Sequence, residues 1–571
     1  MIRLFAGIFG LIPSNFRHQL IIQSLFGKLV HLLQNTRRFI MSRLIALVAL
    51  SFLLATASLS AQEHHEESDT SESTIPKPVQ IVTHHTITID GKLIKYTATT
   101  GTLLLKDENN KPIALFGFTA YTKDDADVNT RPITFAYNGG PGSSSIWLQM
   151  GALGPKRVVI NDPEATPPPP YKMEDNPYSI LDVSDLVMMD AVGTGLSRPV
   201  GKAKGSDFWG VDQDIKSFSR FIFQYIQDND RWNSPKFLFG ESYGTTRSAG
   251  IADYLYERMG IEVNGVIFLS TVWNFETLSF APGNDLPYVL YLPTYAAVAW
   301  YHNALPSKPA DLVSFLATVR KFASGEYEEA LFKGASLDST KYNDVLTKLH
   351  EYTGLSESYW RKANLRVSEP QFTDQLLRKE GETVGRLDAR YTGPTEDLLS
   401  EFSNYDPQST TISPVFITDF LSYFHNDLKY PTDQVYHIDA YNTKGFKWDW
   451  NQRGRHGFGF RNPNVAPDLA DVMQKDPYLN ILMLNGYFDL ATPFFATEYT
   501  VDHLGANIPD LLKRVHFKYF MSGHMVYVNS KVLPQFKADV AEFIDSMIGQ
   551  KAIGSEASSG SGSQGSGSNE K

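Results

Sequence analysis

The sequence predicts an α/β fold with a mainly parallel central sheet, antiparallel N-terminal edge strands and an inserted, largely helical cap. Three observations favour this class. Residues 79–121 have β character throughout, with a hairpin signal at Asp90-Gly91. Residues 132–269 alternate short apolar runs with helical stretches, which is typical of a parallel sheet. Residues 274–469 then change to amphipathic helices, which we interpret as an insertion.

The N-terminal stretch has the features of an export signal. The first 62 residues contain six basic and no acidic residues. The apolar run from Leu44 to Ala57 has signal-peptide length and ends in Ala55-Thr56-Ala57, an A-x-A cleavage pattern. We therefore expect a secretory signal over residues 41 to about 60, and a secreted or periplasmic protein.

Two questions about this stretch stay open. Residues 1–40 either precede a true start at Met41 or form a long n-region. Residues 39–57 are nearly long enough for an N-terminal membrane anchor, although Arg43 interrupts them. Past the signal, the acidic, polar composition around residues 63–78 indicates a disordered linker.

The periodicity of the remaining chain predicts the following elements in order. The strands are Ile81–Thr83, Thr86–Ile89, Leu93–Ala98, Gly101–Leu105, Ile113–Tyr121, Pro132–Tyr137, Asp185–Asp190, Phe237–Phe239, Val263–Leu269, Asn480–Leu484 and Val515–Phe520. The helices are Asp212–Gln227, Thr245–Arg258, Ala310–Phe322, Glu326–Leu331, Thr340–Tyr352, Ser356–Ala363 and Ala538–Met547.

The stretch Gly240-Glu241-Ser242-Tyr243-Gly244 lies between a predicted strand and a predicted helix. Strand, G-x-S-x-G turn and helix form the nucleophile elbow of α/β-hydrolases. The turn exposes the serine hydroxyl at a helix N-terminus, where amides and the helix dipole favour a developing anion. Ser242 is therefore the candidate nucleophile.

A serine nucleophile needs a base and an orienting acid, which in this fold follow it in the order acid, then histidine, each after a strand. Asp489 follows the strand that ends at Leu484, and His524 follows the last strand. Asp489 could also cap a helix beginning at Leu490, although Pro493 suggests a loop.

The oxyanion of such a reaction needs two amide donors. One is expected from Tyr243, directly after the candidate nucleophile. The other is expected from the Gly-rich loop from Asn138 to Gly142, where absent side chains let the backbone approach a substrate. A phosphate-binding interpretation of this loop fails, because no Gly-Lys-Ser/Thr follows it.

These motifs define the expected domain organisation. We expect an N-terminal extension with a signal peptide over residues 1–62 and a disordered acidic linker over residues 63–78. The α/β-hydrolase domain is expected in two parts, residues 79–273 and 470–552, which are separated by an inserted cap over residues 274–469. A disordered Gly/Ser-rich tail is expected over residues 553–571.

Composition excludes several functions. The chain has no cysteine, so it can form no disulfide, thiol nucleophile or Cys-based metal site, and we expect no cofactor and no metal. The 571 residues carry 52 basic and 63 acidic side chains, and the acids all lie beyond residue 62. Such a surface repels phosphate backbones, so nucleic acid is not expected as a partner.

Five motifs, taken together, resemble the serine carboxypeptidase family and come in that family's order. They are Asn138–Ser144, Asp190 with Gly193-Thr194-Gly195, Gly240–Gly244, the Asp489 loop and Gly523-His524-Met525-Val526. The chain is thus similar to a cysteine-free, bacterial-type member. The resemblance implies removal of C-terminal residues from peptides by a Ser242, Asp489 and His524 triad.

The resemblance also implies roles around the triad. It implies the Gly140 and Tyr243 amides as the oxyanion hole. It implies that Asn138 and Glu241 help to bind the substrate's C-terminal carboxylate, and that Met525 lies near the leaving residue.

The sequence departs from the family pattern at several positions. Ser143 stands where the family usually has Cys, and Tyr527 replaces a common Pro. Thr245-Thr246-Arg247 stands in place of a frequent Gly-His-Tyr. Ala152 stands where the family commonly has a Glu that pairs with the acid before the nucleophile, so Glu241 is expected to have a less raised pKa.

Two side chains could compensate for the lost acid. Gln149 could donate a neutral hydrogen bond, and Arg247 could supply charge if it faces the cleft. The more usual fates are that Gln149 packs and that Arg247 is a solvated helix residue.

The sequence thus predicts an exported serine carboxypeptidase acting through an acyl-enzyme intermediate on peptides with a free C-terminus, without stable membrane insertion. An esterase or other acyl hydrolase on the same fold is the alternative. A catalytically inactive hydrolase fold used for binding is a third interpretation, disfavoured by the complete triad.

Overall fold

The computed structural model describes residues 75–453, 459–460, 462–505 and 510–556. The predicted signal peptide, the N-terminal extension, most of the linker and residues 557–571 of the tail lie outside the described residues. Residues 75–78 of the linker have no regular structure. The last helix continues to Glu556 and so includes the first residues of the predicted tail.

One mixed sheet of ten strands runs through the described part of the chain. Its strands are β1 (Gln80–Ile89), β2 (Lys92–Lys106), β3 (Pro112–Lys123), β4 (Ile133–Tyr137), β5 (Asp185–Met189), β6 (Arg198–Pro199), β7 (Lys236–Glu241), β8 (Gly265–Leu269), β9 (Asn480–Gly486) and β10 (Val515–Phe520).

The spatial order of the sheet is β1-β2-β3-β5-β4-β7-β8-β9-β10, with the short strand β6 beside β3. The strands from β5 to β10 along this path are mutually parallel, whereas β1, β2 and β3 are antiparallel to their neighbours. Parallel strands end at the same edge of a sheet, so the loops after β4, β7, β9 and β10 meet there. Ligands of open α/β sheets bind at this edge.

The N-terminal strands form long antiparallel ribbons. Asp90 and Gly91 both have positive φ, 47° and 74°, as the tight turn between β1 and β2 requires. This confirms the predicted hairpin. The separate short strands expected on each side of this turn are continuous, because the segments between them, His84-His85 and Thr99-Thr100, also pair in register.

Twelve helices of six residues or more lie in the described part of the chain. They are α1 (Val211–Asp228), α2 (Tyr243–Tyr254), α3 (Leu286–Tyr301), α4 (Leu312–Phe322), α5 (Glu328–Lys333), α6 (Ser339–Thr353), α7 (Glu357–Lys362), α8 (Glu369–Gln375), α9 (Pro407–Asn426), α10 (Ala466–Lys475), α11 (Phe494–Asp502) and α12 (Leu533–Glu556). Among these helices, none combines the length and apolar character that crossing a membrane requires.

Helices cover both faces of the sheet, as the alternation of side chains along a strand dictates. Phe237 and Phe239 of β7 point to one face, where they join a core that includes Phe416 of α9 and Phe536 of α12. Leu238 points to the other face and joins the core formed with α1, α2 and α10. This continuously apolar pattern is typical of a strand buried on both sides.

The segment between β8 and β9 carries helices α3 to α10, and helices α3 to α8 share a core of their own. Its four predicted helices are confirmed as α4 to α7. Helix α3 escaped prediction because it is apolar on all sides and contains Pro293, so it shows no helical periodicity. Residue 469, the expected end of the insertion, lies inside α10, which packs on the sheet.

The mainly parallel sheet, its antiparallel N-terminal strands and the helices on both faces constitute the α/β-hydrolase fold. The fold class that the sequence predicts is thereby confirmed. The carboxyl edge of the parallel strands, beneath the inserted helices, is where the candidate site lies.

Candidate active site

Ser242 occupies the sharp turn between β7 and α2. Its backbone has φ 60° and ψ −129°, a strained conformation for a residue with a side chain. Its N–H donates to the Leu269 carbonyl at 3.0 Å, which fixes the turn against β8. A side chain at position 240 would lie 2.2 Å from the Gly244 carbonyl oxygen, so glycine is required there.

His524 and Asp489 meet at the edge of the sheet. The Nδ1 atom of His524 lies 2.9 Å from Oδ2 of Asp489, and both side chains are almost fully buried. Burial opposes a charge on the imidazole, but the attraction and hydrogen bond of Asp489 outweigh it and raise the pKa of His524.

A tight loop after β9 holds Asp489. Its Oδ1 accepts the N–H groups of Ala491 and Thr492 at 2.8 and 2.9 Å. Its Oδ2, which faces His524, also accepts the Thr492 hydroxyl at 2.7 Å. Helix α11 begins only at Phe494, after Pro493, so Asp489 orients the loop and not a helix end.

The Gly-rich loop after β4 lies directly against the elbow. A side chain at position 139 would lie 2.5 Å from the amide nitrogen of Tyr243 and 2.8 Å from the carbonyl oxygen of Glu241. Gly140 has φ 105°, a conformation that favours glycine. The absence of side chains thus brings the two segments with the predicted oxyanion amides together.

These groups line one cavity of about 470 Å³. Seven predicted site residues border it: Asn138, Gly140, Glu241, Ser242, Tyr243, His524 and Met525. Asp489, the eighth, lies behind His524. A second cavity of about 770 Å³, which contains Trp448, adjoins it through the shared residues Phe275, Leu278 and Trp450.

Glu241 is buried beside the candidate nucleophile, with 3% of its surface exposed. Burial raises the pKa of its carboxyl to about 7, against the lowering effects of His524, Tyr527 and Asn138. The hydroxyl of Tyr527 donates to Glu241 Oε2 at 2.8 Å. Position 152 carries no acid, so burial is the main cause of the raised pKa, with a smaller contribution from the charge of Asp489.

Tyr527 lies where small residues leave room for its ring. A side chain at position 151 would lie 2.3 Å from the Tyr527 ring, and Ala152 next to it is fully buried. The small residues at positions 151 and 152 thus leave space for the Tyr527 ring, whose hydroxyl is a hydrogen-bond partner of Glu241. Ala152 and Tyr527 are both evident as departures in the sequence, but only the fold shows their connection.

Neither predicted substitute for the lost acid reaches the cavity. The amide of Gln149 is buried and donates to the Tyr121 hydroxyl at 2.7 Å, as its packing role predicts. Arg247 is fully buried, so its interpretation as a solvated residue is wrong. It pairs with Asp214 of α1 at 2.6 Å and donates to the Asn138 carbonyl at 2.7 Å.

Sequence reasoning also missed Arg386, which lines the cavity from the loop after α8. No local signal marks it, because its loop is held by hydrogen bonds with Asp406, Leu490 and His524, which lie outside its own segment of the sequence.

A family model for serine carboxypeptidases matches residues 96–312. Serine carboxypeptidase-like 33 of Arabidopsis thaliana is 25% identical over 215 residues, which are 37% of this chain and 40% of that protein. The match thus spans less than half of that relative's length.

Solved structures with a similar arrangement share little sequence with the chain. A prohormone-processing carboxypeptidase from Saccharomyces cerevisiae has 15% identity and a TM-score of 0.44, covering 78% of this chain and 91% of that chain. Proline iminopeptidase from Mycobacterium smegmatis has 14% identity and a TM-score of 0.32, covering 82% and 99%.

The family match ends before Asp489 and His524, but it includes β4, the Gly-rich loop, β7 and the elbow. Over these segments, which line the cavity, the chain is similar to serine carboxypeptidases.

Proposed function

We propose that the protein is a serine carboxypeptidase with Ser242, His524 and Asp489 as its catalytic residues. The observation that carries the proposal is the hydrogen bond between His524 and Asp489 at the cavity that the strained Ser242 also lines. This arrangement supplies a nucleophile, a base and an orienting acid.

In the first half of the reaction, the Ser242 hydroxyl attacks the last peptide carbonyl and His524 Nε2 takes its proton. Asp489 stabilises the imidazolium through Nδ1. The oxyanion receives the amide N–H groups of Gly140 and Tyr243, and the N-terminus of α2 favours its charge. His524 then gives the proton to the leaving amine, and the acyl group stays on Ser242.

In the second half, water attacks the acyl-enzyme and His524 again acts as base and then acid. The products are a shortened peptide and one free amino acid. No cofactor or metal takes part in these steps.

Recognition of a free C-terminus is assigned to Glu241 and Asn138, with Met525 beside the leaving residue. A protonated Glu241 can donate a hydrogen bond to a carboxylate, whereas an ionised one would repel it. The raised pKa of Glu241, about 7, supports this role in mildly acidic solution.

Ester hydrolysis is the second candidate function. It is favoured by the contact between Tyr527 and Glu241. The Tyr527 hydroxyl donates to the Glu241 carboxyl and so competes with a substrate carboxylate for that group. A purely binding function would need no base at the elbow, so the His524–Asp489 pair counts against it.

The test compares hydrolysis products from one blocked dipeptide with a free C-terminus and from its C-terminal amide and methyl ester. A carboxypeptidase releases the free amino acid from the first substrate, whereas an esterase acts on the methyl ester alone. The Ser242→Ala variant should lose about 10⁴-fold or more in kcat while melting at the wild-type temperature. Undiminished turnover by this variant would refute the assignment of Ser242.

Export to a secreted or periplasmic location is part of the proposal, on the basis of the sequence over residues 41–57. That segment lies outside the described residues. The expected partners are peptides with a free C-terminus.

A further inference from the structure

Arg386 places a positive charge in the cavity beside the candidate catalytic residues. Its side chain is 54% exposed, and it lines the same cavity as Ser242 and His524. Within the described part of the chain, its guanidinium donates no hydrogen bond. The nearest carboxylate partner is Glu369, whose Oε2 lies 3.9 Å from Arg386 Nε, at the outer limit of an ion pair.

The backbone of Arg386 is held firmly although its side chain is free to bind. The N–H groups of Arg386 and Leu387 both donate to Asp406 Oδ2, at 2.7 and 3.0 Å. The Arg386 carbonyl accepts the Leu490 N–H at 3.1 Å. The Leu387 carbonyl accepts the His524 N–H at 2.6 Å. The loop therefore joins the two segments that carry Asp489 and His524.

The position of Arg386 identifies the side of the scissile bond that it faces. His524 must give its proton to the leaving amine, so the leaving residue lies next to the imidazole. Arg386 lies on the His524 side of the cavity, because the carbonyl of the next residue, Leu387, accepts the His524 N–H at 2.6 Å. The cation is therefore on the leaving side, where a carboxypeptidase substrate carries its C-terminal carboxylate.

The charges around Arg386 leave it available for a ligand. Burial raises the pKa of Glu369 to about 7, so its carboxyl is largely protonated in mildly acidic solution. Asp406 accepts backbone N–H groups, including that of Ser409 at its other oxygen. Asp439 also lines the cavity, and its Oδ1 accepts the Tyr441 N–H.

We propose that Arg386 binds the carboxylate of the substrate's leaving residue. This inference rests on the proposed function and adds to it a binding group that Glu241 alone does not provide. The carboxylate is either the C-terminal α-carboxylate or that of an acidic C-terminal side chain, and the experiment separates the two.

The experiment uses the full chain and four blocked dipeptides with the same first residue. Their second residues are Leu with a free C-terminus, Glu with a free C-terminus, Leu amide and Leu methyl ester. The variants are Arg386→Gln and Arg386→Lys. Arg361→Gln is the matched control, since Arg361 lies on α7 and does not line the cavity.

Arg386→Gln should lower kcat/KM for the free-acid substrates about 10- to 100-fold relative to the ester, mainly through KM, because a charge-assisted hydrogen bond is lost. Arg386→Lys should restore part of this ratio, and Arg361→Gln should not change it. An equal loss for Leu and Glu identifies the α-carboxylate, whereas a loss confined to Glu identifies the side chain.

A ratio of acid to ester hydrolysis within about twofold of wild type in Arg386→Gln would overturn the inference. Failure of the proposed function would be seen in the wild-type protein, which would then hydrolyse the ester but release no free amino acid from the free-acid substrates. The two outcomes are therefore distinguishable. The ester rate in each variant controls for folding.

Discussion

Glu241 shows how one buried side chain determines the chemistry that the cavity can perform. Its carboxyl lies next to Ser242, and burial raises its pKa to about 7. Below that pH the group is neutral and can donate a hydrogen bond to a substrate carboxylate. Above it the group is charged and would repel the same carboxylate, so the carboxylate recognition that we propose should depend on pH.

We therefore predict opposite pH trends for two substrates. Hydrolysis of free-C-terminus peptides should decline above about pH 7, as Glu241 loses its proton. Hydrolysis of C-terminally blocked esters should persist or increase, because His524 is neutral only above its raised pKa. The measurement is kcat/KM against pH for both substrates.

Two variants test whether Glu241 causes the decline in hydrolysis of free-C-terminus peptides. Glu241→Gln should abolish the decline, because the amide donates at every pH. Tyr527→Phe should move the decline to higher pH, since Tyr527 lowers the pKa of Glu241 through its hydrogen bond. If the wild type cleaves free-C-terminus peptides best in alkaline solution, Glu241 does not control recognition and Arg386 becomes the next group to test.

The close approach of the Gly-rich loop and the elbow is a property of two elements together. We predict that Gly139→Ala lowers kcat by about 10²- to 10³-fold, the usual cost of losing an oxyanion donor. The added methyl group would lie 2.5 Å from the Tyr243 amide nitrogen and would displace one segment from the other. Gly325→Ala is the matched control, because a methyl group there meets nothing within 4 Å. A wild-type kcat in Gly139→Ala would contradict the assigned oxyanion hole.

Helices α1 and α2 are joined by the buried pair of Asp214 and Arg247, which also fixes the Asn138 carbonyl. We predict that Arg247→Met lowers the free energy of unfolding by about 3–5 kcal/mol, since it leaves Asp214 buried without its partner. Adding Asp214→Leu should recover much of that stability. It should not restore the hydrogen bond from Arg247 to the Asn138 carbonyl, so we expect kcat to stay reduced in the double variant. Urea unfolding at neutral pH measures the first effect.

The exposed pair of Lys333 and Glu329 on α5 provides the control for this cycle. Lys333→Met should change the unfolding free energy by less than about 1 kcal/mol. Equal losses of unfolding free energy in Arg247→Met and Lys333→Met would show that burial of the Asp214–Arg247 pair does not increase its contribution to stability.

For the whole molecule, we predict a mature protein that begins near Ser58 and contains no disulfide. The first part follows from the apolar run that ends in Ala55-Thr56-Ala57, and the second from the absence of cysteine. Intact mass of the protein purified from its native source measures both. Retention of residues 1–40 would favour the membrane-anchor interpretation instead.

Most of the sheet and the candidate nucleophile were predictable because their signals are local. The strands β4, β5, β7, β8, β9 and β10 appear in the sequence as short apolar runs, and their predicted bounds differ little from the observed ones. Helix α3 was not predictable, because its apolar surface on all sides hides the period of 3.6 residues. Helix α9 gave no clear prediction either, although it provides part of a core on the sheet.

The sequence by itself determined the α/β fold, the elbow at Ser242 and the order of Asp489 and His524, because backbone geometry and strand periodicity depend on neighbouring residues. Only the tertiary structure decided that Tyr527 donates to Glu241, that Arg247 is buried and that Arg386 faces the cavity. The partners in these contacts are far apart in the chain, so burial and charge at each position depend on packing that no local pattern contains.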